Sequence, residues 1–436
     1  MTDLVARDLA AVWHPFTQHS LWEDDEPLVI DRAEGMYLID TDGRRYLDGV
    51  SSLWVTVHGH RVPEIDAAVR QQLEKVAHST FLGLTHEPGI ALAEALLETA
   101  PRPKAGEGAP LRRVFYAGDG SSAVEAALKM AYQAAAQRGE HRPLFVSVAE
   151  GYHGDTLGAV SVGGIDTFHA AYRQILLRTR QIPSPHRVGT EAALAALEAL
   201  LDADGQQVCA VIIEPMVQAA AGMLTHDAAF VRGVRELSRR AGALMIADEV
   251  ATGLGRTGAM WAVEHAGVTP DLLTCGKGLS GGYLPLSAVL ATEEVYAAFL
   301  GAPESDRTFF HGHTYTANPL ACAAALANLR LMAERQTVRH AGRVGERLGA
   351  LLAPLSQMAG VLDVRRCGTM TGIEVASTGS RTGFEVCRRA RRRGVLLRPL
   401  SDVVVLMPPL AIGEEDLDEL AAVTVDCVHE VVGAGG

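Results

Sequence analysis

Two residues of complementary chemistry stand at the ends of two short apolar runs. Leu244-Met-Ile-Ala-Asp248 closes on a carboxylate, and Asp271-Leu-Leu-Thr-Cys-Gly-Lys277 closes on an amine set among glycines. The runs at 243–247 and 271–275 have strand length and are bounded by Gly and Pro. In an open parallel sheet, ligands sit beyond the carboxyl ends of the strands. A lysine there could form a Schiff base with an aldehyde cofactor, while the acid keeps a ring nitrogen protonated. That is the need of pyridoxal 5'-phosphate (PLP). Each residue also has a plainer reading: Asp-Glu after an apolar strand is common, and lysines flanked by glycine usually serve as solvated turns. Gly253, Gly255 and Gly258 spell G-x-G-x-x-G. A dinucleotide fingerprint needs those glycines directly between strand and helix. Asp248 to Thr252 intervene here, which weakens a dehydrogenase reading.

Other strand exits offer matching parts. Arg113-Val-Phe-Tyr-Ala117 reads as a strand running through Gly118-Asp-Gly-Ser-Ser122 into a helix over 123–136. Gly120 and Ser121 at that helix start could seat an anion on free N–H groups, or Ser121 and Ser122 could simply cap the helix. The strand 144–148 leads to Gly151-Tyr-His-Gly-Asp155, where Tyr152 could stack on a planar ring or sit in a surface turn. Val208 to Ile213 is a buried strand ending in Glu214-Pro. Arg398 closes an apolar run before Pro399, either as a salt-bridged structural residue or as a bidentate carboxylate clamp. His58 and His60 form a His-x-His pair able to bind metal, but no HExxH or acidic partner follows. No metal site is expected.

The elements that must carry these residues alternate helix and strand from about 64 to 325, the pattern of a mostly parallel sheet. Before it, residues 1–63 read as an arm and part of a small sheet, with a hairpin around Gly35 and Asp42-Gly43. After it, 326–436 reads as a smaller α+β domain: a long helix to Ser356, strands at 361–367 and 370–376, a helix at 381–393, strands at 395–400 and 403–409, and a last helix from Glu414. The 436 residues are 48% apolar and 21% charged, a globular composition. A net charge of −13 without a basic block argues against nucleic-acid or acidic-membrane partners. The N-terminus lacks a signal-peptide plan, no run of 18 apolar residues suggests a span, and six scattered cysteines fit reduced thiols. A cytoplasmic enzyme is expected.

Taken together, these residues and motifs resemble the class III aminotransferases of the fold-type I PLP enzymes along essentially the whole chain. The match is carried by Trp13-His-Pro-Phe-Thr, Asp48-Gly-Val-Ser-Ser, His58-Gly-His, Gly83-Leu-Thr-His-Glu-Pro88 and Gly151-Tyr-His-Gly-Asp-Thr156. Asp248-Glu-Val-Ala-Thr-Gly-Leu-Gly-Arg-Thr-Gly258, Gly276-Lys-Gly-Leu-Ser-Gly-Gly-Tyr283, Arg398-Pro-Leu and Met407-Pro-Pro409 complete it. Trp-His-Pro, Gly-Leu-Thr-His-Glu-Pro and Met-Pro-Pro are narrower and resemble the biotin-synthesis branch of the class.

The resemblance implies a homodimer with active sites at the interface, where His313 and Thr314 of one subunit reach the cofactor phosphate of the other. It implies that Lys277 holds PLP and shuttles a proton, and that Asp248 keeps the ring nitrogen protonated. Tyr152 and Gly312 would contact the keto substrate, 8-amino-7-oxononanoate, and Arg398 its carboxylate. Phe16, Leu53 and Trp54 would line the substrate pocket. Branch members that use S-adenosylmethionine as donor carry a second Trp where Leu53 stands, a Tyr where Phe16 stands and a Pro where His313 stands. The three departures resemble relatives that use lysine, so both donors stay open. A different ω-aminotransferase (4-aminobutyrate, acetylornithine or diamine type), a PLP aminomutase and a non-catalytic binding protein also remain as readings.

Overall fold

The computed structural model describes residues 3–103, 108–379 and 381–433. Its centre is a seven-stranded sheet running Leu111–Ala117, Ser287–Thr292, Leu272–Cys275, Leu244–Asp248, Val208–Ile213, Leu144–Val148, Thr179–Ile182. Every neighbouring pair is parallel except the two made by Ser287–Thr292. Strand side chains alternate between faces. Ile212, Ile246, Leu272 and Val289 pack with the helix Gly120–Gln137, whereas Val211, Met245, Leu273 and Leu290 pack with the helices Glu87–Thr99, Thr190–Asp204 and Ala228–Arg240. Both faces are covered, which is why the strands read as continuous apolar runs rather than alternating ones. The buried face of Gly120–Gln137 is largely alanine, and this brings the helix start close to the sheet edge.

The smaller domain joins both chain ends. Arg45–Asp48 pairs in parallel with Val395–Leu396, completing a sheet with Ile30–Glu34 and Tyr37–Asp40. A second, antiparallel sheet holds Val361–Cys367, Met370–Val375, Val403–Leu406 and Arg398–Leu400. The single strand expected over 395–400 is therefore two, because the chain crosses from one sheet to the other at Leu397. Arg398 sits at that crossing.

The long helix expected from 326 is also two helices, Pro319–Glu334 and Thr337–Leu352. Gln336 takes a left-handed conformation, φ +50°, and breaks the path. The first of the pair packs its buried Ala325, Leu329 and Met332 into the central core, so the 325/326 division runs through a continuous helix. The arm at the start contains a helix, Asp3–Ala11, that local pattern did not reveal. Asp8 of this helix anchors the rest of the arm, accepting from Trp22 Nε1 at 2.8 Å and pairing with His14 Nε2 at 2.9 Å.

Arg256 locks the two domains together. It is buried and donates to Pro408 O at 2.7 Å and to Thr56 O at 2.9 Å. Burial lowers its pKa to about 9, against the pull of Asp48. The glycines around it lie in turns, with Gly255 at φ +93° and Gly258 at φ +91°, and no α-helix follows them directly. That disposes of the dinucleotide-loop reading. Among the described residues, no helix is long and apolar enough to cross a membrane.

Candidate active site

The carboxyl edge of the sheet opens into a cavity of about 480 Å³. Asp248 and Lys277 both line it, together with Gly120, Ser121, Tyr152 and Trp54. Asp248 is the last residue of its strand and is buried. Its Oδ2 takes a bond of 2.6 Å from His153 Nδ1, and its Oδ1 accepts from the Thr274 hydroxyl at 3.0 Å and the Val250 N–H at 3.1 Å. Burial works against a charged His153, but the Asp248 carboxylate outweighs it and the imidazole pKa is raised. The His153 imidazole and the Asp248 carboxyl are thus locked in one hydrogen bond, which fixes the carboxyl group at the edge of the cavity.

Lys277 follows its strand by two residues, in a short 3-10 turn, with φ +43°. A strained backbone at this point aims the side chain out of the sheet edge into the cavity. Burial lowers the pKa of its amine, while Asp248 and Glu214 oppose the shift. Its Nζ lies 5.1 Å from the centroid of the Trp54 ring.

The opposite wall is an anion seat. Asp119, not Ser121 or Ser122, caps the helix Gly120–Gln137, accepting from the Ser122 N–H at 2.9 Å. The N–H groups of Gly120 and Ser121 point from the first turn with no hydrogen-bond acceptor among the described residues. The Ser121 hydroxyl exchanges bonds with the Thr156 hydroxyl and N–H, each at 3.0 Å. Two glycines shape the seat. A Cβ on Gly120 would lie 2.6 Å from Val250 Cγ1, and one on Gly154, at φ +117°, would lie 2.3 Å from Ser121 Oγ.

Tyr152 is fixed at three points. Its N–H donates to Glu214 Oε2 at 3.0 Å, its hydroxyl donates to Asp155 Oδ2 at 2.9 Å, and its ring lies parallel to His169 with centroids 6.2 Å apart. Burial raises the phenol pKa, with Asp155 adding to it. Glu214 also accepts the Ala219 N–H at 3.0 Å, and burial pushes its pKa up to about 7 while His153 pulls it down. Arg398 is half-buried and makes no ion pair among the described residues, which removes the structural salt-bridge reading. Burial lowers its pKa; Tyr152 is among the groups that act on it.

Not every expected residue reaches the cavity. Phe16 touches it indirectly, edge-on to Phe168, whose ring is in turn edge-on to Tyr152. Leu53 is about half exposed beside the buried Trp54 and is not part of the cavity lining. Gly312, His313 and Thr314 lie on an exposed loop outside the cavity lining, with the His313 ring next to Gly118. His58 and His60 diverge: His60 pairs with Asp48 at 3.0 Å, and His58 Nε2 approaches Asn328 O at 3.4 Å. His153, Glu214, Asp119, Thr156 and Thr274 were not singled out from sequence as site residues. Glu214 carries the same signal as Asp248, a carboxylate closing a buried strand, and that signal could have found it.

A phosphate-bearing aromatic aldehyde fits these groups: two free N–H donors in a glycine cradle, a buried carboxylate, an amine, and Tyr152 and Val250 along the walls. The architecture is that of the fold-type I PLP-dependent transferases. More narrowly, residues 19–428 match the Aminotransferase class-III family, and the chain belongs to it as a PLP-dependent aminotransferase. It is similar, at 50% identity, to an adenosylmethionine-8-amino-7-oxononanoate aminotransferase of Nitratidesulfovibrio vulgaris, over 98% of this chain and 80% of that one. The crystal structure of the protein of that name from Methanocaldococcus jannaschii superposes with TM-score 0.93 at 37% identity, covering 98% of this chain and 99% of that one. An omega transaminase from Pseudomonas jessenii, solved in complex with PMP, gives TM-score 0.91 at 27% identity over 100% of both chains.

Proposed function

We propose that the enzyme transfers an amino group to the keto carbon of 8-amino-7-oxononanoate, forming 7,8-diaminononanoate for biotin synthesis, with S-adenosylmethionine as donor. The observation that carries this reading is that relatives from 36% to 50% identical, aligned over nearly all of this chain, bear that activity in their names. Lysine is a second donor to test, since Leu53 and Phe16 are neither an indole nor a phenol, unlike the residues that stand there in the branch members using S-adenosylmethionine.

PLP, when bound, supplies the electron sink for the carbon that loses its proton. Gly120 and Ser121 would hold its phosphate, and Asp248, gripped by His153, would keep its ring nitrogen protonated. Lys277, with a pKa lowered by burial, would bind the cofactor's aldehyde and, as a free amine, would take the proton from the substrate carbon as general base and hold it. Tyr152 would lie against the cofactor, and the guanidinium of Arg398, with no ion pair among the described residues, would take the substrate carboxylate. The active unit in this reading is a homodimer. Its support is a set of large apolar side chains left open to solvent in the single chain, among them Leu82, Phe310 and Tyr315, 87%, 76% and 63% exposed.

The test is product formation from 8-amino-7-oxononanoate with each donor in a separate reaction, read by mass spectrometry. The diamine forms with S-adenosylmethionine, and Lys277→Ala abolishes it. No product with either donor, alongside fast turnover of 4-aminobutyrate or a diamine, would move the enzyme to another ω-aminotransferase activity.

A further inference from the structure

Trp54 stands out for the backbone that holds it. Ser51, Ser52 and Trp54 have φ of +52°, +62° and +67°, a cluster of positive φ angles that is costly for a bulky residue. The surroundings over-determine this turn. Buried Asp48 accepts the Ser52 N–H at 2.7 Å and its hydroxyl at 3.0 Å, and is itself braced by His60. The Ser51 hydroxyl donates to Met407 O at 2.7 Å. The indole is 5% exposed, yet its Nε1 has no hydrogen-bond partner among the described residues, so its place is set by the backbone and by packing against Met223, Met407 and their neighbours. What the strained turn delivers is a ring face to the Lys277 amine, 5.1 Å from the ring centroid.

We propose that Trp54 is a positioning residue for Lys277: whenever the amine is free, the indole face receives it in its protonated form and holds it at the cavity wall. The proposal rests on Lys277 being the reactive amine. A desolvated ammonium over an indole is attracted by the ring quadrupole, and tryptophan is the strongest of the aromatic partners. The contact opposes the burial that disfavours the charged amine. It acts alongside Asp248, Glu214 and Asp155, which favour the charge, and against Arg256, which disfavours it. Trp54 thereby stores the lysine between proton transfers instead of only walling the substrate pocket.

Competitive acylation of the apoenzyme across a pH series tests this without turnover. Trace acetic anhydride labels each lysine, and mass spectrometry reads Lys277 against exposed Lys75 as internal standard. In Trp54→Leu the midpoint of Lys277 labelling moves to lower pH by about one unit, a tenfold change in the protonation equilibrium. In Trp54→Phe, which keeps an aromatic face but loses the N–H, it moves by less than half as much. Greater access alone would raise the plateau and leave the midpoint in place. An unmoved or upward midpoint in Trp54→Leu, or equal shifts in both variants, would overturn the proposal. If Lys277 were not the reactive amine, Lys277→Ala would retain turnover, an outcome independent of the labelling midpoint.

Discussion

His153→Gln separates a positioning hydrogen bond from mere filling of space. The His153–Asp248 contact is 2.6 Å and both side chains are buried; the carboxyl of Asp248 favours the charged form of His153. Hydrogen bonds to charged groups contribute about 1.5–3 kcal/mol. With an unfolding entropy of about 2.1 cal/mol/K per residue, that range lowers the apoenzyme Tm by about 2–3 °C. The pH dependence is the sharper signature. The folded pKa of His153 is raised above its unfolded value of about 6.5. The stability it contributes is therefore full below about pH 6.5 and is lost as pH rises through the raised folded pKa. The Tm gap between wild type and His153→Gln is widest in acid and narrows toward alkaline pH. Scanning calorimetry of both apoenzymes from about pH 5.5 to about pH 9.5 measures it. In the loaded enzyme, kcat falls about 10- to 100-fold with KM for the keto acid little changed, because the lost interaction orients Asp248 and touches no substrate. A gap that is flat with pH, or that widens in alkali, would refute a charged His153 holding Asp248.

Two further substitutions address the cavity walls. Gly154→Ala places a Cβ 2.3 Å from Ser121 Oγ at a φ of +117°, so the anion seat must shift; PLP affinity, measured by fluorescence titration of apoenzyme, drops at least about tenfold. Arg398→Leu removes a guanidinium with no structural ion pair, so the fold holds while KM for the carboxylate-bearing keto acid rises about 10- to 100-fold, read in steady-state kinetics.

The amino-acid sequence by itself determined the alternation of helix and strand, the mostly parallel sheet and the placing of Asp248, Lys277, Gly120, Ser121 and Tyr152 at strand exits. Those are local properties: periodicity of apolar residues, with glycine and proline at the ends, reports what a segment does within a few residues of itself. Tertiary structure decided who meets whom. His153 reaches Asp248 across 95 positions, Tyr152 reaches Glu214 across 62, and Arg256 ties Thr56 to Pro408 across 200 and 152. Strand order sets these meetings, and periodicity carries no record of strand order. The same limit explains the break at Gln336 and the crossing at Leu397, where packing against two different layers divided what read as single elements. Trp54 is the clearest case. Its residue type was legible, but its contact with Lys277 is made only in the fold: Asp48 and His60 brace the turn from nearby in the chain, while Met407 meets the Ser51 hydroxyl across 356 positions and Lys277 arrives from another strand exit.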